Sequence, residues 1–104
     1  MPQSDKTLLA LGLCAKARKV ICGTPMICEA LRGKGRPVLV IAASDNSPNT
    51  AKKLADKCAH YQTELQTLDA DGERLAAAVG KKGKIAAVAI TDENLSRLVR
   101  NTLQ

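Results

Sequence analysis

Aromatic side chains are almost missing from this chain of 104 residues: it has no Trp, no Phe and one Tyr, Tyr61. Readers of unpaired nucleic-acid bases stack them on aromatic rings, so the chain has no platform for that mode of binding. Histidine is as scarce. His60 stands alone, without a carboxylate at a spacing that forces contact, and Cys58 two residues earlier points elsewhere on a helix. No Cys–His nucleophile pair and no paired zinc ligands follow from that spacing, and no catalytic or metal-binding residue is expected. Long apolar runs are lacking too. The longest uninterrupted ones, Val38 to Ala43 and Ile85 to Ile90, fall far short of the ~18 residues of a membrane helix, so no membrane partner is expected. Acid is the minority charge, ten Asp and Glu against sixteen Lys and Arg, which leaves a net charge of +6.

Neither glycine-rich basic segment is a nucleotide loop. Gly33-Lys34-Gly35 and Gly80-Lys81-Lys82-Gly83-Lys84 do not combine a preceding strand, a following helix and the required spacing. Asp69, Asp71 and Glu73 lack the glycine and distal glutamate of a calcium loop and read as an acidic edge, with Asp71 as a helix cap. No cofactor is expected. The four cysteines, Cys14, Cys22, Cys28 and Cys58, fall at apolar positions of helices or at a strand end, as small buried hydrophobes do, and reduced thiols are expected. The amino-terminal residues lack the basic start and cleavage site of a signal peptide, so the expectation is a cytoplasmic protein.

What is present is a strict alternation of helical and extended patterns across one domain, residues 1–104. A helix from Asp5 to about Ala17, with Ser4 as cap, carries Leu8, Leu11, Gly12 and Ala15 on one face. A short strand, Lys19 to Cys22, leads to Gly23-Thr24-Pro25, which opens a helix running to about Gly33, with Thr24 accepting from the first amides and Pro25 in the first turn. Arg36 to Ala43 carries an apolar, β-branched run with turn signals on both sides, hence a strand covered on both faces. Asp45-Asn46-Ser47-Pro48 opens a helix with Ala51, Leu54, Ala55 and Cys58 inward, ending at His60 and a partly buried Tyr61. Thr63 to Leu68 follows as an edge strand, and Asp71 to Val79 as a helix with Leu75, Ala76 and Val79 inward. After the basic loop 80–84, Ile85 to Ile90 is a second buried strand, and Thr91-Asp92 caps a last helix with Leu95, Leu98 and Val99 inward. The order αβαβαβαβα predicts an α/β fold, a three-layer α/β/α sandwich around a four-stranded mixed sheet.

Positive charge is concentrated. Lys16, Arg18, Lys19, Arg32, Lys34 and Arg36 face the single acid Glu29 between positions 16 and 36, a local excess of 6 − 1 = +5 around one helix start. Exposed helix-start amides beside such a block suit phosphate.

Gly23-Thr24 opening a helix, Lys34-Gly35 before Val38-Leu39-Val40-Ile41-Ala42-Ala43, Asp45 and Pro48 just after, and Leu75 to Gly80 leading into Ala86-Ala87-Val88-Ala89-Ile90 resemble the kink-turn RNA-binding ribosomal proteins. The closing Ile90-Thr91-Asp92 and the basic loop are most similar to the bacterial YlxQ-type members. The resemblance covers about Leu8 to Leu103. It implies a non-catalytic RNA-binding protein, associated with the ribosome or with another structured RNA, whose partners are structured RNA, ribosomal or other, and possible ribosomal proteins; the chain itself is expected to be a monomer. The implied RNA-binding residues are Lys19, Gly23, Thr24, Pro25, Met26, Glu29, Lys81, Lys82 and Lys84.

Kink-turn readers follow Gly-Thr with Asn-Glu and, three residues on, Lys. Here those places hold Pro25, Met26 and Glu29. Proline and methionine present no side-chain hydrogen bond to a base edge, and Glu29 repels phosphate. The expectation is therefore phosphate attraction with weakened base readout. An alternative is a protein-interaction module on the same scaffold, using the Pro25-Met26-Ile27 surface; an exposed Met26 would favour it.

Overall fold

In the computed structural model, which describes residues 3–33 and 36–103, the elements run α1 (Gln3–Lys16), β1 (Val20–Cys22), α2 (Thr24–Arg32), β2 (Leu39–Ala42), α3 (Pro48–His60), β3 (Glu64–Thr67), α4 (Gly72–Ala78), β4 (Ala87–Ile90) and α5 (Glu93–Thr102). The sheet order is β1-β4-β2-β3. β2 pairs parallel with β3, and β4 lies antiparallel to both β2 and β1, so the sheet is mixed. The expected α/β/α sandwich is what forms.

Strand periodicity explains the layers. Successive side chains of β2 leave opposite faces: Leu39 and Ile41 join Leu11, Cys14, Leu75, Val79, Val88, Ile90 and Val99 under α1, α4 and α5, while Val40 and Ala42 join Ile27, Leu31, Leu54, Cys58, Ala87 and Ala89 under α2 and α3. Neither face of β2 or β4 meets water, which is why both read as unbroken apolar runs. β3 is an edge strand, and its Glu64 carboxylate accepts from Gln66 and from Arg100 Nε at 2.8 Å. The Gln66 hydrogen bond and the Arg100 guanidinium hold that carboxyl below the usual glutamate range against a smaller effect of burial.

Three helix starts follow their sequence signals. Ser47 Oγ accepts from Thr50 N at 3.2 Å, Asp71 Oδ1 from Arg74 N at 2.8 Å and Asp92 Oδ1 from Leu95 N at 2.9 Å. Several expectations are corrected. Ser4 is not a cap, because α1 has already begun at Gln3. Thr24 is the first residue of α2 and caps nothing; the cap position belongs to Gly23, without a side-chain bond. The strand expected over Arg36 to Ala43 is shorter, since Pro37 has no N–H to give a ladder, although Val38 N and Ala43 N still donate to Ile90 O and Ala86 O. Ala51 and Ala55 are exposed: α3 rests on α2 and β3 by the narrow ridge of Leu54 and Cys58. Leu98 is 40 % exposed, because α5 faces inward along Leu95, Val99 and Leu103, and Leu98 lies a third of a turn to the side. All four cysteines are free thiols, three buried and Cys22 half-buried. Among the described residues no helix is long and apolar enough to cross a membrane.

Candidate nucleic-acid interface

The geometry begins where α1 stops. Arg18 adopts a left-handed backbone (φ 60°), and the amides of Arg18 and Lys19 turn back onto Ala15 O and Cys14 O at 3.0 Å, a helix ending that usually takes glycine. The chain then enters β1. Thr91 N and Oγ1 both donate to Lys19 O, Gly23 N donates to Ala87 O at 3.1 Å, and between them Val20, Ile21 and Cys22 pair with Ile90, Ala89 and Val88. β1 is the edge of the sheet opposite β3.

At the end of β1 the backbone of Gly23 takes φ 90°, ψ 144°, a conformation that L side chains rarely adopt, and its carbonyl accepts the first helical bond from Ile27 N at 3.0 Å. The first turn of α2 thus presents the amides of Thr24 and Met26, with Pro25 contributing none. Thr24 Oγ1 is buried and has no hydrogen-bond partner among the described residues. Ile27, Cys28 and Leu31 turn α2 onto the sheet, which leaves Pro25, Met26 and Glu29 exposed; Met26 is 57 % exposed.

Along the β1 edge runs an open groove of about 690 Å³, floored by Val20, Ile21, Cys22, Val79 and Ile85 and walled by Arg18, Met26, Lys81 and Lys82. Lys81 arrives because its amide donates to Ala76 O at 2.9 Å, closing the end of α4, and the loop returns to the sheet through Ile85 N, which donates to Gly72 O at 3.1 Å. The Cys22 thiol feels both features. Burial pushes its pKa up, the Lys81 charge pulls it down less, and the net is a raised value, so Cys22 is a neutral thiol rather than a nucleophilic thiolate at neutral pH.

The structure therefore brings together Met26, Lys81 and Lys82, adds Arg18, and sets Gly23 and Thr24 at the adjoining helix start. Arg18 belongs to the Lys16-Ala17-Arg18-Lys19 cluster but not to the residues that the resemblance implied; its left-handed φ has no sequence signal. Lys19 is exposed beside the groove without lining it. Lys84 goes elsewhere, to a small depression shared with Asp45, Asn46 and Gly72. Pro25 and Glu29 lie on the exposed side of α2 and line no part of the groove. The cationic block expected around one helix start is also divided. Arg32 closes the far end of α2, Arg36 lies 5.4 Å over the ring of a half-buried Tyr61, and Lys16 faces a different groove; Lys34 is outside the described residues.

Residues 5–100 match the ribosomal protein family described as L7Ae/L30e/S12e/Gadd45. The chain is 35 % identical over 86 residues to the RNA-binding protein YlxQ of Bacillus subtilis (strain 168), covering 83 % of each, and 29 % identical over 84 residues to its namesake from Enterococcus faecium, covering 81 % of this chain and 80 % of the other. A Bacillus halodurans protein of unknown function superposes with a TM-score of 0.85 at 33 % identity, over 94 % of this chain and 96 % of that one. A 15.5 kD RNA-binding protein of Giardia lamblia shares the fold, with a TM-score of 0.80 at 17 % identity over 97 % and 84 % of the two chains. With the alternating αβ order, the mixed sheet and a match over nearly its whole length, the chain belongs to the ribosomal protein L7Ae/L30e/S12e/Gadd45 family.

Proposed function

We propose that this protein is a non-catalytic, cytoplasmic RNA-binding protein associated with the ribosome, which grips structured RNA along the β1 groove chiefly through phosphates. The observation that carries the reading is the convergence of Arg18, Lys81 and Lys82 on one groove beside the amides of Thr24 and Met26. Three cations and a helix start make a surface for a polyanionic backbone, and a groove without aromatic rings suits folded RNA held by its shape. Lys19 flanks this surface, and Lys84 lies too far round the loop to be central. Pro25 and Met26 supply no base-edge hydrogen bond, and Glu29 opposes phosphate on the same helix, so base discrimination is weak. The relatives named for RNA binding support this reading.

Met26 gives a second reading its one observation. Exposed, flexible and polarisable, it suits an adaptable protein contact through Pro25 and Met26, although Ile27, expected on the same surface, is fully buried against the sheet. Three cations on the same groove favour the polyanion.

Salt dependence tests the proposal. Titration of a labelled, folded RNA into the protein across a salt series is expected to give an affinity that falls with a logarithmic slope of about −3, one unit for each phosphate neutralised. An affinity that stays flat with salt would leave the phosphate grip without support and hand the surface to a protein partner.

A further inference from the structure

We infer that the groove between α1 and α4, away from the cationic one, is a self-association surface that joins two copies of this chain about a two-fold axis with their α1 helices antiparallel. The groove, about 710 Å³ and open, carries the two most exposed leucines among the described residues, Leu9 at 60 % and Leu13 at 53 %. On α1 its lining is Asp5, Leu8, Leu9, Gly12, Leu13 and Lys16. An acid stands at one end, a base at the other, and only leucine and glycine between.

A helical stripe with this spacing can always be superposed on its own reverse, but its chemistry need not match when it is. Here it does. Reversal about the midpoint between positions 10 and 11 sets Asp5 against Lys16 of the second copy, Leu8 against Leu13, and Leu9 against Gly12. The acid meets the base twice over, two leucine pairs form, and each Leu9 lies across the backbone of Gly12, where no side chain of the second copy opposes it. A two-fold interface requires this kind of self-complementarity, in which every contact occurs twice with the roles exchanged. Asp5 already bonds Arg74 of α4 through Oδ1. Its carboxylate can take a second cation, so Lys16 of the other copy would extend that pair into a three-member ion cluster at each end.

Gly12 sets how close the helices come. A Cβ there would lie 3.1 Å from Ala78 O, so α1 already rests tightly on α4 at this point and leaves a shallow floor on which a second α1 can lie. The stripe spans twelve residues, Asp5 to Lys16, roughly 16 Å along the helix, which makes a small interface. Association should accordingly be weak, with a dissociation constant of roughly 0.1–1 mM. Self-association departs from the monomer expected of the sequence, and it leaves the β1 groove of each copy open to RNA.

Sedimentation equilibrium of the full chain from 10 µM to 1 mM tests the inference. The weight-average mass should rise from 11.0 kDa toward twice that value. Leu13→Glu, at an exposed position, should hold it at the monomer value. Lys16→Glu should weaken association about threefold to tenfold, as the loss of two exposed ion pairs implies, and the exchange Asp5→Lys with Arg74→Glu and Lys16→Glu, which reverses every charge of the cluster, should return it to within about twofold of the parent, because the stripe stays complementary. A mass constant at 11.0 kDa up to 1 mM would overturn the inference and leave the groove to a helix of another protein. Unaltered association of the Leu13→Glu variant would overturn the interface as described, as would an exchange variant that, folded by circular dichroism, associates no better than Lys16→Glu.

Discussion

Replacing Arg18, Lys81 and Lys82 together by glutamine should lower affinity for folded RNA by roughly 30- to 150-fold at low salt, equivalent to about 2–3 kcal/mol for three charge-assisted phosphate contacts. The loss should be nearly the same for every RNA tested, because phosphate contacts position a protein without reading sequence. The salt slope should flatten by about three units in the same experiment. All three side chains are exposed and none carries an ion pair among the described residues, so the melting temperature should barely move. Filter binding over several RNAs, with thermal melting of the same samples, reads both quantities. A loss confined to one RNA would mean that these cations discriminate sequence; no loss at all would take the β1 groove out of the account.

Among the described glycines, Gly72 is the one whose replacement by Ala meets the closest contact, and Gly72→Ala should be strongly destabilising. A Cβ at Gly72 would lie 2.8 Å from Ile85 O, 3.1 Å from Lys84 Cβ and 3.4 Å from Ile85 N. The first of these contacts is backbone, which cannot swing away as a side-chain tip can. The surrounding clip is closed: Gly72 N donates to Asp45 Oδ1 at 2.9 Å, Gly72 O accepts from Ile85 N at 3.1 Å, and Asn46 Nδ2 donates to Ala86 O at 3.0 Å. Room for a methyl is made only by moving the strand that follows the basic loop. An overpacked site of this kind costs about 1–3 kcal/mol, a fall in melting temperature of roughly 5–20 °C for a domain of this size. RNA affinity should fall as well, although no charge is removed, since Lys81 and Lys82 are carried on the displaced loop. Calorimetry and binding on the same variant check both. Unchanged stability would show that the clip does not fix the loop.

Much of the architecture could be read from residue patterns. The runs at Leu39 to Ala42 and Ala87 to Ile90 are apolar at every position because each strand is covered on both faces, and Ser47, Asp71 and Asp92 announce helix starts by a local hydrogen bond that depends on no distant residue. The groove was legible only in part. Arg18 and Lys81 are far apart in sequence and meet because β1 pairs antiparallel with β4 and α1 lies on α4, long-range contacts that no local pattern reports. The separation of Lys84 from Lys81 and Lys82 depends on the Gly72–Ile85 clip, and Arg32 is carried away from Thr24 by the nine residues of α2, about 13 Å of helix. Charge density along the chain therefore overstated how many cations share one surface. Ala51, Ala55 and Leu98 mark a similar limit: helical spacing gives a helix its apolar side, but the neighbouring elements decide how wide a strip they cover.

The most direct test of the β1 groove as the RNA-binding surface is a map of backbone amide and methionine methyl resonances as folded RNA is added at low salt. Shifts should concentrate on Arg18, Val20 to Met26, Lys81 and Lys82, with the exposed Met26 methyl among the largest, while α3 and α5 stay unperturbed. Saturable binding with its largest shifts on α3 or α5 and a silent groove would contradict the account.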